Sequence, residues 1–194
     1  MPTVDVLHFT GDAAADRYLA RDPLALLVGM LLDQQVPMEW AFRSPWLLRD
    51  RLGADHLDAA QIVAMDPDKV AEIFATKPAL HRYPASMARR VHALCEYLVE
   101  HHGGRAEAVW QGASTGKDLF DRLTDLPGFG REKAMVFVAI LGRRLRVRPK
   151  GWDAYAADWP TIADADKPGA IAEIREAKAA WKASGKEASG KKNA

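Results

Sequence analysis

Two glycines separated by one residue mark the most informative segment of the chain. Gly128 and Gly130 lie in the sequence Leu-Pro-Gly-Phe-Gly-Arg at positions 126–131, and the basic residues Arg131 and Lys133 follow at once. Glycine has no Cβ atom, so it permits backbone conformations closed to other residues and lets a ligand come close to the main chain. Glycines followed by positive charge are suited to binding an anion such as phosphate.

Two predicted helices position these residues. Apolar residues at helical spacing predict one helix up to Asp125 and a second from about Arg131, so the pair forms a helix–hairpin–helix over about 117–141. The first amides of the second helix have no partners inside the helix, and its dipole makes that end positive. The alternative is an ordinary tight turn between two helices. The residues predicted to contact phosphate are Gly128, Phe129, Gly130, Arg131 and Lys133.

The charge distribution points to the same region. Residues 126–150 contain seven basic side chains and one acidic one, a net charge of +6, although the whole chain carries only +1. Residues 1–125 carry a net charge of −5. A concentrated basic segment beside a glycine hairpin is typical of contact with a nucleic-acid backbone. The alternative is a solvated loop rich in arginine.

The bulk composition indicates a water-soluble protein of one domain or two small lobes. Of 194 residues, 48% are hydrophobic, and the longest apolar run, 24–32, is about half the length that spans a bilayer. The single cysteine, Cys95, excludes an internal disulfide and any all-cysteine iron–sulfur or zinc site. No histidines show a metal-binding spacing. We therefore expect no cofactor, no membrane partner, a cytoplasmic location and a monomer.

Helical signals dominate the remaining sequence, so the predicted fold class is all-α. Asp22-Pro23 and Asp66-Pro67 combine a capping carboxylate with proline at the first helical position. The helix that follows Asp22 ends in Asp-Gln-Gln at 33–35. A further helix starts near Pro37 and is interrupted at Ser44-Pro45. Another, over 86–101, stops at Gly103-Gly104, and a last one starts near Pro168 or Gly169.

The hairpin sequence resembles that of base-excision DNA glycosylases related to endonuclease III, the HhH-GPD superfamily. The helix ending Leu-Leu-Asp-Gln-Gln at 31–35 is similar to an early helix of that family, and residues 86–104 resemble the helix upstream of its hairpin. The resemblance covers roughly residues 22–150. It implies a two-lobed helical fold, with residues 22–134 as a helical barrel and residues 1–21 plus 135–181 as a second lobe. Residues 182–194 would form a disordered basic tail.

The resemblance also implies a partner and site residues. Double-stranded DNA would bind between the lobes and one base would be flipped out, so the protein would be nucleoid-associated. Gln35 matches a family glutamine near the flipped base or the gap that it leaves. Trp152, Tyr155 and the segment His-Arg-Tyr at 81–83 could stack on a base or could be core anchors. The carbonyls matching a family site for Na⁺ or K⁺ are those of Thr124, Leu126 and Phe129.

Two departures from the family bear on catalysis. Bifunctional relatives carry a Schiff-base lysine where this chain has Glu132, and Lys133 lies one position later, about 100° around the helix. Relatives also carry a catalytic aspartate where this chain has Pro149 and Lys150. Asp153 is the nearest substitute, although it could equally cap a short helix, and Asp158 is a poorer candidate. The resemblance therefore implies a monofunctional glycosylase; the alternative is a non-catalytic DNA-binding or lesion-sensing module.

Overall fold

The computed structural model describes residues 4–185, and within them the chain folds into nine α-helices without a β-strand. The predicted all-α class is confirmed. None of the helices in this part of the chain has the length and apolarity to cross a membrane. Short 3₁₀ turns lie at Ala106–Val109, Trp152–Tyr155 and Ile162–Asp164. The helices are α1 Ala13–Arg21, α2 Pro23–Leu32, α3 Met38–Arg51, α4 Ala59–Ala64, α5 Pro67–Ala75, α6 Pro84–His102, α7 Gly116–Thr124, α8 Arg131–Arg143 and α9 Ala170–Ala183.

The predicted helix boundaries rest on capping chemistry. The Asp22 carboxylate accepts a hydrogen bond from the amide of Ala25 at 2.8 Å, and α2 then begins at Pro23. Asp66 caps α5 in the same way. Gly103 ends α6 in the left-handed conformation, with φ of 60°, which glycine adopts without steric cost. These starts and this stop agree with the sequence prediction.

Helix α2 lies at the centre of the molecule. All nine of its residues from 24 to 32 are buried, and the helix packs against α1, α3, α6 and α8. A helix that is apolar on all sides needs neighbours on all sides, which makes α2 the element that orders the others. The buried side chains form one continuous cluster. The division into lobes at 22–134 and at 1–21 plus 135–181 stays a prediction.

Helix α3 corrects one expectation. The predicted interruption at Ser44-Pro45 is wrong, because α3 runs unbroken from Met38 to Arg51 with Pro45 inside it. Both residues are buried, and the Ser44 hydroxyl lies 2.8 Å from the carbonyl oxygen of Trp40 and 2.6 Å from that of Leu80. Packing and this side-chain hydrogen bonding hold the helix together despite the amide that proline removes.

The last helix, α9, is joined to α3 by an ion pair. Helix α9 starts after Gly169, as predicted, and the Arg175 guanidinium pairs with the Glu39 carboxylate of α3 at 2.6 Å. The predicted disordered tail at 182–194 needs adjustment, since Lys182 and Ala183 belong to α9. Residues 186–194 lie outside the described part of the chain.

Candidate nucleic-acid interface

The predicted hairpin is present between α7 and α8, and its two glycines have different reasons to be glycine. Gly128 has φ of +81°, and a Cβ atom there would overlap with the Leu31 side chain of α2. The fold itself therefore demands glycine at 128. Gly130 has an ordinary φ of −86°, and a Cβ atom there would meet no atom within 4 Å. Nothing inside the described protein requires glycine at 130, and the space beside its main chain is open.

The start of α8 presents unpaired amides to this space. The first main-chain donor that finds an acceptor is Ala134, which donates to the Gly130 carbonyl at 3.0 Å. No side chain caps α8, whereas aspartate or threonine caps α1, α2, α4, α5 and α7. Within residues 4–185, the amides of 130–133 have no hydrogen-bond acceptor. Gly128, Gly130 and Arg131 are exposed, so an anion can reach the amides of this helix end.

Phe129 does not take the predicted role at this surface. Its ring is 5% exposed and packs edge-on against Phe137, with 6.0 Å between the ring centroids. Its amide donates to the Leu126 carbonyl at 3.0 Å and is therefore not free for a phosphate. Phe129 fastens the hairpin to the core instead. The Leu126 oxygen already accepts this bond, and a cation at the carbonyls of Thr124, Leu126 and Phe129 stays a prediction.

Lys133 is also engaged elsewhere, which corrects its prediction as a phosphate ligand. Its ammonium donates to the carbonyls of Met30 at 2.6 Å, Leu31 at 3.0 Å and Asp33 at 2.9 Å. An ammonium has three hydrogens, so these bonds use its full capacity. Burial lowers the pKa of Lys133 to about 8, although attraction by Asp33 opposes the shift. Lys133 thus caps the carboxyl end of α2 and fixes α8 against it.

The basic segment is smaller at the surface than its sequence suggests. Arg143 pairs with the Asp164 carboxylate at 2.7 Å, and Arg148 donates to the Gly142 carbonyl at 2.7 Å and lies over the Trp152 ring. These guanidinium groups hold the loop after α8 in place. Arg144 is half-buried. The exposed cations of the segment whose charged groups make no hydrogen bond within the described residues are Arg131, Arg146 and Lys150.

The aromatic residues at 152 and 155 lie beside the hairpin helices. The Trp152 ring covers Gly142 of α8, and Tyr155 packs against Phe120 of α7, with 5.6 Å between the centroids. The Arg131 guanidinium lies over the same Phe120 ring, 5.3 Å from its centroid. Trp152 and Tyr155 are both half-buried and act as anchors for the 3₁₀ turn. The structure places this turn on α7 and α8, whereas Gln35 follows α2.

Because the Trp152 ring occupies the space over Gly142, a methyl group at 142 should destabilise the protein. We expect Gly142→Ala to lower the free energy of unfolding by about 1–3 kcal/mol, the usual cost of overpacking. Urea unfolding followed by circular dichroism measures this. Gly53→Ala tests a glycine whose Cβ position is open but whose φ is +63°. If it destabilises the protein more than Gly142→Ala, backbone strain outweighs the ring contact.

No group among the described residues holds the Asp153 side chain in place. Its side chain is exposed and makes no hydrogen bond or ion pair within the described residues. It does not cap the 3₁₀ turn, because the N-cap residue there is Gly151, in the left-handed conformation. The structure therefore removes the capping alternative. A freely solvated carboxylate on this turn is not preorganised for catalysis, and the catalytic assignment of Asp153 stays a prediction.

Gln35 projects from a well-anchored loop after α2. It is exposed and adopts a left-handed backbone, with φ of 57°. Its neighbour Gln34 holds the loop: its amide nitrogen donates to the Leu31 carbonyl at 3.0 Å, and Arg90 of α6 donates to its side-chain oxygen at 3.2 Å. The resemblance singled out Gln35 but gave no signal for the anchoring role of Gln34 or for Arg90, which lies 56 residues from Gln34.

A buried histidine supports the same loop. His81 is fully buried, and its Nε2 atom lies 3.0 Å from the Gln34 carbonyl oxygen. The Tyr83 amide donates to Nδ1 at 3.0 Å, so Nδ1 is the unprotonated nitrogen and Nε2 donates to Gln34. Burial lowers the pKa of His81, which keeps the ring neutral. His81 is therefore a structural link between loops rather than a residue that stacks on a base.

Exposed aromatic residues flank this histidine. Tyr83 is 43% exposed and Trp40 is 37% exposed, and their ring centroids lie 6.1 Å and 6.5 Å from that of His81. The Arg82 guanidinium lies over the Tyr83 ring, 5.5 Å from its centroid. A cation stacked on an exposed tyrosine beside a projecting glutamine presents both flat and charged groups to a nucleic acid. The sequence prediction included Tyr83 but missed Trp40.

Possible metal ligands and similarities to known proteins complete the description of this surface. No three His, Cys, Asp or Glu side chains between residues 4 and 185 are grouped so that they could hold a metal ion. No protein-family model matches the sequence, and no curated protein matches it either. The structure is similar to that of a thermostable thymine-DNA glycosylase, with a TM-score of 0.42 and 14% sequence identity over 84% of this chain and 75% of that chain. At this similarity, function has to be inferred from the chain's own residues.

Proposed function

We propose that the protein binds double-stranded DNA as a monomer and removes a damaged or mispaired base from it as a monofunctional DNA glycosylase. The observation that carries this proposal is the start of α8. Its amides at 130–133 lack acceptors among residues 4–185, and Gly130 leaves the approach to them open although the described fold does not need glycine there. A DNA phosphate supplies the negative charge that such a helix end favours.

A second contact supports the proposal. Tyr83 and Trp40 are large exposed aromatic side chains near the loop from which Gln35 projects, and Arg82 adds a positive charge. Stacking on aromatic rings suits bases that have left the helix or lost their partner. One surface would hold the phosphates and the other would occupy the gap left by a flipped base.

The chemistry that fits this chain is hydrolysis without a Schiff base. Glu132 occupies the position of the family's lysine, and the Lys133 ammonium is engaged by three carbonyls. Water would therefore attack C1′ of the deoxyribose and leave an abasic site. The second candidate is a DNA-binding or lesion-sensing module without catalysis, which the solvated position of Asp153 favours.

Base release distinguishes the two candidates. Purified protein is incubated with labelled duplexes that carry uracil, a G·T mispair, 8-oxoguanine or an alkylated purine, and abasic sites are then cleaved with alkali. Strand cleavage that depends on both protein and alkali supports a monofunctional glycosylase. Binding to these duplexes without any base release supports the sensing module. Absence of both contradicts the proposal.

Salt dependence tests which cations contact DNA. Arg131, Arg146, Lys150 and Arg82 are exposed cations whose charged groups make no hydrogen bond within the described residues, so about three or four phosphate contacts are expected. At about −0.9 per contact, log K plotted against log salt should have a slope of about −3 to −4. Fluorescence anisotropy with a labelled duplex measures it. A slope near −6 would mean that all seven basic residues of 126–150 contact DNA, and a slope near zero would exclude phosphate contacts.

A further inference from the structure

Asp33 occupies an unusual place between the hairpin and the projecting glutamine. It is the residue after α2, where its amide donates to the Gly29 carbonyl at 3.1 Å and its own carbonyl accepts the Lys133 ammonium at 2.9 Å. Its main chain is thus fixed on both sides. Gln35 lies two residues further on. This position joins the two surfaces of the proposed interface.

The Asp33 carboxylate itself is left without a partner. It is half-buried, yet within residues 4–185 it accepts no hydrogen bond and has no cation within ion-pair distance. The other buried or capping aspartates differ: Asp16 accepts bonds from Phe9 and Thr10, and Asp22 from Ala25, Leu57 and Tyr18. A partly buried carboxylate without donors from the described protein is the kind of group found at functional sites.

Charged groups from three helices face this carboxylate. Burial raises the pKa of Asp33, Lys133 of α8 and Lys178 of α9 lower it, and Glu39 of α3 raises it. The net shift is upward from the ordinary value of 3.8. A carboxylate with a raised pKa is a stronger base than a solvated one. Burial is the largest cause of this shift, and the two lysines and the glutamate modify it without bonding to the carboxylate directly.

We infer that Asp33 is the catalytic carboxylate of this chain, acting as the base that activates water for attack on the deoxyribose; this rests on the proposed glycosylase function. Asp33 takes one proton from the water while the oxygen forms a bond to C1′. The C1′–N bond breaks, and its electron pair leaves with the base. The proton then passes from Asp33 to the departing base, so that the net reaction consumes one water.

Other carboxylates fit this role less well. Asp153 and Glu132 are exposed to solvent and make no hydrogen bond or ion pair among the described residues. Solvated carboxylates have no fixed orientation. Asp33 instead has its main chain held by Lys133, which acts as a positioning residue. The carboxylate would come from the helix before the glutamine rather than from the loop after the hairpin.

Base release by three variants tests the inference. With the duplex from which wild type releases base fastest, among those carrying uracil, a G·T mispair, 8-oxoguanine or an alkylated purine, Asp33→Asn should lower single-turnover base release about 100-fold or more. Duplex affinity by anisotropy should change less than about threefold. Asp55→Asn, at an exposed aspartate remote from the proposed site, is the matched control.

If Asp33→Asn retains wild-type rates, or Asp153→Asn alone abolishes release, the inference is wrong while the glycosylase function stands. If wild type releases no base from any duplex, both are overturned.

Stability and pH provide readouts that a merely structural Asp33 would not give. The pKa of Asp33 is raised in the folded protein, so the folded state binds the proton more tightly than the unfolded state does. The free energy of unfolding therefore falls as the pH rises from 3.8 through the folded pKa. Asp33→Asn should therefore keep or raise the urea midpoint at pH 7. Wild-type base release should fall as pH falls through the raised pKa. A lowered midpoint in the variant would mean that Asp33 is a structural residue and would overturn the inference.

Discussion

Lys133→Met is expected to destabilise the protein by about 2–4 kcal/mol, because it leaves carbonyl groups at the end of α2 without their donor. The Asp33 carbonyl loses the Lys133 bond of 2.9 Å, its one hydrogen bond among the described residues. Methionine fills a similar volume without any donor, so the loss is electrostatic rather than a cavity. Equilibrium unfolding in urea measures the change.

The matched control is Lys117→Met. Lys117 is an exposed lysine of α7 that pairs with Asp121 at 2.6 Å, one helical turn away. Surface pairs of this kind contribute little, so the control should unfold close to wild type. Equal midpoints for Lys133→Met and Lys117→Met would contradict the capping role of Lys133. The two variants should also differ in hydrogen exchange at the start of α8, where only Lys133→Met should loosen the helix.

Gly130→Val is expected to weaken duplex DNA binding at least tenfold without unfolding the protein. The backbone at 130 suits any residue, and the Cβ position is open, so the stability cost should be limited to the roughly 1 kcal/mol by which valine is a poorer N-cap residue than glycine. The branched side chain would stand in front of the amides of Arg131 and Glu132 and keep a phosphate away. Anisotropy at low salt measures binding, and urea unfolding of the same sample measures stability.

Gly128→Val provides the contrasting variant. Its backbone has φ of +81° and its Cβ would overlap with Leu31. We expect a loss of several kcal/mol, because a β-branched residue is strained at positive φ and the contact lies in the core. The hairpin thus separates a glycine needed for folding from one that leaves room for a ligand. Wild-type affinity in Gly130→Val would contradict the second role.

Much of the fold could be predicted because its signals are local. Asp22-Pro23, Asp66-Pro67 and Gly103 determine helix ends through contacts within a few residues, and the structure shows each of them. The prediction at Pro45 was wrong, because whether a proline interrupts a helix depends on tertiary packing. The link from Ser44 to Leu80 spans 36 residues, and no local pattern indicates it.

The site was only partly predictable, because the partners of charged side chains are distant in sequence. The hairpin follows from residues 126–131, but the sequence treats Gly128 and Gly130 alike, and only the structure shows that Gly130 is the open one. Lys133, however, binds carbonyls about 100 residues earlier, and Arg143 pairs with Asp164. A count of basic residues treats both as surface charges. Asp33 was read as the end of a helix, since its lack of partners becomes visible only once α3, α8 and α9 surround it.

The central claim is that the unpaired amides at the start of α8 bind a DNA phosphate, and amide chemical shifts test it most directly. In ¹H–¹⁵N spectra of the protein titrated with a short duplex at low salt, the signals of Gly130, Arg131 and Glu132 should move most, and saturably. Gly130→Val should abolish these shifts. If the duplex leaves these three signals in place while others move, DNA binds elsewhere and the account is wrong.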